Sequence, residues 1–388
     1  MVNFLCKAFL HGRRTITSSS THELLSPRNP SSLMSLKFIS STANDNSLTV
    51  SYLINSCGLS PEAALTVSKN VRFKTLEKPE SVLAFLHNHG FSKTQISEVV
   101  KKYPEVLGSD PEKTLLPKFE FFKSKGVLRP ELVKVLCSHP SILHRSLENQ
   151  LIPSFEILND VFKSDEKTFL TIKRYSRLLL HDLKTCVSPN IHTLRDNGVP
   201  EPNIAAILCH SARMFFTYPD KFRESVEEVK EKGFNPSMFT FVTAVRALRA
   251  MSKLTWKKKI DVYKRWGWSE EVILMAFRRF PIVMTLSEDK IMGMMDYYVN
   301  VLGLESSFIS ERPELLGYSL KKRVVPRGSV ARVLMSKGLV KASSLTRLFL
   351  SREKLFLERF VYRYQEEAPQ LLKLYTETLD FSRQLKKE

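Results

Sequence analysis

Residues Gly90–Val127 read GFSKTQISEVVKKYPEVLGSDPEKTLLPKFEFFKSKGV. Ser92 with Gln95 three positions on has the form of a capping box, which starts a helix. Ile96, Val99, Val100 and Tyr103 follow at i, i+3, i+4 and i+7, on one helical face. Pro104 ends that helix, because the residue before a proline is pushed out of the α region. Asp110 and Pro111 offer a cap and a first-turn proline for a second helix. Its stripe is Leu115, Phe119 and Phe122, and Gly126 closes it. Pro117 is awkward inside such a helix. Either Asp110–Leu116 is a separate short turn or Pro117 is a kink.

The unit recurs. The Pro104 position falls on Pro140, then Ser176, Ser211, Arg246, Pro281 and Pro313, at steps of 36, 36, 35, 35, 35 and 32. The closing glycine keeps the same beat at Gly90, Gly126, Gly198, Gly233, Gly267, Gly303 and Gly338, with Phe162 where a glycine is due. Pro117, Pro153 and Pro189 are a third marker at the same period. Such a unit cannot bury its apolar face alone, so neighbours stack into an all-α helical-repeat solenoid. About eight units of about 35 residues fit residues 45–342, with capping helices and a tail over 343–388. Val325-Pro-Arg-Gly reads as an insertion in the last unit.

Residues 1–44 differ in kind. Lys7, Arg13 and Arg14 precede the first acid, Glu23, and serine and threonine are dense up to Thr42. Phe4, Leu5, Ala8 and Phe9 share one face of an amphipathic helix. This is the pattern of an organellar transit peptide, with a mitochondrial rather than plastid cast; the chloroplast is the alternative. There is no apolar run of 18 residues, so no membrane span is expected. Cys6, Cys57, Cys137, Cys186 and Cys209 form no CxxC pair and give no disulfide framework.

The units resemble the motif of the mitochondrial transcription termination factor (mTERF) family: Leu-x-x-x-Gly-Phe-Ser at Leu86–Ser92, Pro-x-x-Leu at Pro104–Leu107 and Leu-x-Pro at Leu115–Pro117. Pro140–Leu143 and Leu151–Pro153 echo it. The resemblance spans Ser47 to Tyr364. It implies two α-helices and a short 3-10 turn per motif, an array curved into a half-ring, and binding of organellar DNA or RNA along its concave face. It implies regulation of transcription, termination or intron splicing, in company with the organellar machinery for those steps. The pattern is broken at Phe162, Ser176, Ser211 and Arg246. Pentatricopeptide repeats, which read single-stranded RNA, share the period. Only Glu227–Phe241 resembles them, and the proline phases are foreign to them.

The charge fits a polyanion. The chain carries 59 basic and 40 acidic residues, net +19, and +12 of this lies from Arg246 to Glu388. Lysine and arginine that neutralise phosphates supply sequence-independent affinity through counterion release. Lys101-Lys102, Lys173-Arg174 and Arg278-Arg279 stand three and two residues before the same marker, so a solenoid sets them in one row. Lys257, Lys258 and Lys259, and Lys321, Lys322 and Arg323, are further candidate phosphate contacts. Basic residues in a last helical turn also offset the helix dipole with no ligand at all. No Gly-rich phosphate loop, HExxH, GxSxG or zinc spacing is present, so no enzyme, cofactor or metal is expected. The expected molecule is a monomeric, non-catalytic binder of organellar nucleic acid. The alternative is a helical scaffold for an acidic protein.

Overall fold

The computed structural model describes residues 40–384. The chain is all-α, an array of helical repeats: among the described residues there is no strand, and helices follow one another from Ser40–Asn55 to Leu371–Gln384. The first helix begins ahead of the boundary read from composition at residue 44, and the rest of the expected targeting segment lies outside the described residues. Contacts group the chain into two units, residues 40–192 with 204–217, and residues 193–203 with 218–384.

The quoted stretch folds as one repeat. Its first helix is Lys93–Lys102, and both bonds of the Ser92–Gln95 capping box form. Tyr103, at φ −148° and ψ 75°, leaves the helix, and Pro104–Gly108 makes a 3-10 turn. Val99, Val100, Val106, Leu107 and Leu115 are fully buried. Each contributes about 1.5–3 kcal/mol relative to an exposed side chain.

Pro117 resolves into both alternatives at once. Pro111–Leu115 is a wide turn, and the helix Leu116–Ser124 continues from it without a break. Leu116 N–H bonds the carbonyl of Pro111, five residues back rather than four. The wider loop makes room for a ring that would otherwise strike the preceding turn. The same five-residue bond precedes Pro153 (Ile152 to Leu147), Pro189 (Ser188 to Leu183) and Pro326 (Val325 to Leu320). Val325-Pro-Arg-Gly is therefore no insertion. It carries the repeat's own proline.

The beat is steadier than the sequence markers suggested. In the fifth repeat the 3-10 turn is Ala212–Phe215, with Ser211 in the flanking position held elsewhere by Tyr103, His139 and Tyr175. The marker is thus Ala212 rather than Ser211, and the step is again 36. Phe162 stays helical, and the next residue, Lys163, takes the left-handed conformation at φ 49° that glycine takes elsewhere. Arg246 marks no turn at all: the helix Phe239–Arg249 runs straight through it.

Adjacent repeats are strapped together by one device. A long polar side chain on the second helix of a repeat donates to a carbonyl at the end of the next repeat's 3-10 turn. Lys118 reaches Leu143 O at 2.7 Å, Gln150 reaches Leu179 O at 2.9 Å, and Asn190 reaches Phe215 O at 2.9 Å. In the second unit Lys259 bonds Leu286 O, Lys290 reaches Gly317 O at 3.0 Å, and Tyr263 reaches Val283 O at 2.9 Å. The last strap is doubled. Arg323 and Arg327 both donate to Phe349 O and Ser351 O at the end of the Ala342–Leu350 helix. Most donors stand ten or fourteen residues after the start of their own 3-10 turn, one helical turn apart and on the same face. Each satisfies carbonyls that a helix end leaves without partners.

Candidate nucleic-acid interface

The first helices of repeats two and four end in basic pairs, and the fold gives their members different work. Lys102 extends to the following repeat, where its ammonium donates to Cys137 O at 2.7 Å, one residue before the end of the Arg129–Ser138 helix. Arg174 holds the equivalent position two repeats on. It reaches the end of the Glu201–Ser211 helix, with Nη1 2.8 Å from Cys209 Sγ and 3.5 Å from the His210 ring. The adjacent Tyr175 hydroxyl donates to His210 O at 2.8 Å. Lys102 and Arg174 thus both bridge to the following repeat.

Lys173 turns the other way and pairs with Glu131. Hydrogen bonds from Lys173 and Lys134 hold the Glu131 carboxyl below the usual carboxylate range. Arg278 is similarly occupied, its Nε donating to Lys232 O. Its guanidinium lies where a Cβ on Gly233 would come within 3.0 Å of Nη2. Lys259 is only 6% exposed, and burial lowers its pKa. It is a strap and is excluded as a phosphate contact. Arg323 is corrected in the same way: three carbonyls, Phe349, Leu350 and Ser351, take its guanidinium, which also stacks 4.2 Å from the Tyr318 ring.

Six candidates remain open. Lys101, Arg279, Lys257, Lys258, Lys321 and Lys322 are exposed, and their side chains have no hydrogen bond or ion pair among the described residues. Two arginines join them. Arg177 and Arg213 both occupy the second position of a 3-10 turn, 36 residues apart, and both are exposed. The motif-based reading passed over them because they follow the marker rather than precede it. The helical period alone would have paired them.

In the first unit two cations, Arg177 and Lys102, act on His139. Its Nδ1 lies 2.7 Å from Ser176 Oγ. Its pKa is lowered by burial first, and then by the charges of Arg177 and Lys102. A cation from repeat two and one from repeat four are thus both felt at a histidine of repeat three. Aromatic rings are mostly committed to the core, as in the edge-to-face contacts of Phe119 with Phe85 and of Phe155 with Phe121.

Among the described residues no group of three or more His, Cys, Asp or Glu could hold a metal ion. None of the helices there is long and apolar enough to cross a membrane. No curated protein matches the chain. The family model described as mTERF matches residues 83–292 and 246–357, two overlapping segments that together take in most of the chain. That match replaces the pentatricopeptide alternative, and with the three proline and glycine markers in phase it shows that the chain belongs to the mTERF family.

Proposed function

We propose that this protein binds organellar nucleic acid and regulates gene expression there without performing chemistry. The reading places it in the mitochondrial matrix, as a monomer on duplex DNA or structured RNA. There it controls transcription, its termination or RNA processing by blocking or recruiting the machinery. Family membership supports nucleic-acid binding in general. The observation that carries the reading further is that Arg177 and Arg213 stand exposed at the same position of two 3-10 turns, 36 residues apart. Lys101, Arg177 and Arg213 supply the phosphate contacts in the first unit, and Arg279, Lys257, Lys258, Lys321 and Lys322 supply them in the second.

The test is a binding titration of the chain against pooled mitochondrial duplex DNA and transcripts over a range of salt. Log affinity falls linearly with log salt, at about −0.9 per phosphate contacted on duplex DNA. Each exposed cation changed to alanine reduces that slope by about one contact. Absence of binding to both nucleic acids at low salt would overturn the proposal and favour an acidic protein as the partner.

A further inference from the structure

In the second unit the repeat fails at one place. The helix Phe239–Arg249 runs on where other repeats make a 3-10 turn, and residues 250–252 lead directly into the helix Lys253–Lys264. The preceding helix, Pro219–Glu231, carries Phe222 and Val226 at the two strap positions. Donor and acceptor are missing together. A cavity of about 580 Å³ remains, lined by Lys221, Glu224, Glu228, Arg249, Lys253 and Trp256 among others. This is within the range of small-ligand sites.

The lining has three kinds of group. The first is cationic: Lys221 and Lys253 are exposed, and their ammonium groups have no partner among the described residues. The second is acidic. Glu228 pairs with Lys232 at 3.3 Å, while Glu224 is exposed and its carboxylate has no partner among the described residues. The third is a flat ring. Trp256 is half-buried and packs edge-to-face with Phe277, with centroids 5.0 Å apart and planes at 88°. The Lys232 ammonium lies 5.9 Å from the indole centroid.

A bare phosphate would meet two carboxylates here, and an apolar ligand would leave the charges uncompensated. A nucleotide matches all three groups. Its base has a π-face for the indole, its phosphate suits the lysines, and an exocyclic amine donates to a carboxylate as cytosine N4 does.

We propose that this cavity is a subsite for one unpaired nucleotide carrying an amino group. The base stacks on Trp256, its amine donates to Glu224, and its phosphate lies against Lys221 and Lys253. The proposal rests on the nucleic-acid-binding function above and adds a single-stranded element and a base preference to it.

Fluorescence anisotropy of the full chain with labelled hexanucleotides of cytidine, adenosine or uridine, at one fixed salt, tests it. The cytidine and adenosine hexamers bind about tenfold more tightly than the uridine hexamer, at the lower end of the discrimination one good polar base contact gives. Glu224→Gln brings all three within about twofold of one another, since an amide can donate as well as accept. Lys221→Ala with Lys253→Ala weakens all three about tenfold, as the loss of two phosphate contacts does. All three altered side chains are exposed, so the fold is kept. Hexamers that bind equally well to the variants, or that do not bind at all, would overturn the subsite. Duplex DNA is measured in parallel. Duplex binding that survives while hexamers fail removes only the subsite. Loss of both removes the general function.

Discussion

Replacing Lys118 by methionine isolates one strap. The lysine stem is buried, at 7% exposure, and its ammonium lies 2.7 Å from Leu143 O in the next repeat. Methionine keeps the apolar stem and its packing but removes the donor. A hydrogen bond from a charged group is worth about 1.5–3 kcal/mol, and a buried carbonyl left alone adds to the loss. Against this, the ammonium is held in a poorly solvated place, as its lowered pKa shows, and methionine escapes that cost. The net expectation is a loss of about 1–2 kcal/mol. In a repeat array this falls on the interface between two neighbours, so unfolding becomes broader as well as easier. Urea denaturation followed by circular dichroism measures it, with Lys123→Met, an exposed site on the same helix, as the control. Equal stability of the Lys118 variant and the control would refute the strap's energetic role.

Other outcomes follow from particular residues. Gly126→Ala costs about 1–2 kcal/mol, because φ is 74° and nothing lies within 4 Å of an added Cβ, leaving backbone strain alone. Gly328→Ala costs about 1–3 kcal/mol by overpacking, since its Cβ would run into the Tyr297 ring and hydroxyl; thermal melts rank the two. His139 has a folded pKa below its unfolded one, so the unfolded chain takes up the proton first as pH falls through about 6.5. Stability therefore drops on acidification from neutral pH until the folded pKa is passed, and His139→Gln flattens that part of a pH–stability curve. Arg177→Ala with Arg213→Ala leaves the melt unchanged within about 0.5 kcal/mol but lowers the salt slope of nucleic-acid binding by about two contacts.

The array was legible because its markers carry backbone physics. A glycine recurring with the repeat names a left-handed helix end, and Gly90, Gly126, Gly198 and Gly233 all adopt it. Lys163 hid the same conformation, since a lysine gives no hint of positive φ. Arg246 shows the reverse: a helix that continues looks, by spacing alone, like one that stops. The candidate site was legible only in part. Lys257, Lys258 and Lys259 are alike in sequence, yet the helix turns only the third inward, onto Leu286 O. Whether a lysine faces solvent or a neighbour's carbonyl depends on a contact some 27 residues away, which composition does not record. Arg323, read as a phosphate contact, and Arg327, inside the segment read as an insertion, were obscured in the same way.

Every strap runs forward: Lys118 to Leu143, Gln150 to Leu179, Lys290 to Gly317. During synthesis the donor therefore leaves the ribosome before its acceptor exists. At roughly 5–20 residues per second, the 25 residues between Lys118 and Leu143 take on the order of 1–5 s to appear. Through that interval the newest repeat lacks its forward strap, and each completed repeat fastens the one before it. The growing end is the vulnerable end, and the doubled arginine strap onto Phe349 and Ser351 is where this relay reaches its last acceptor.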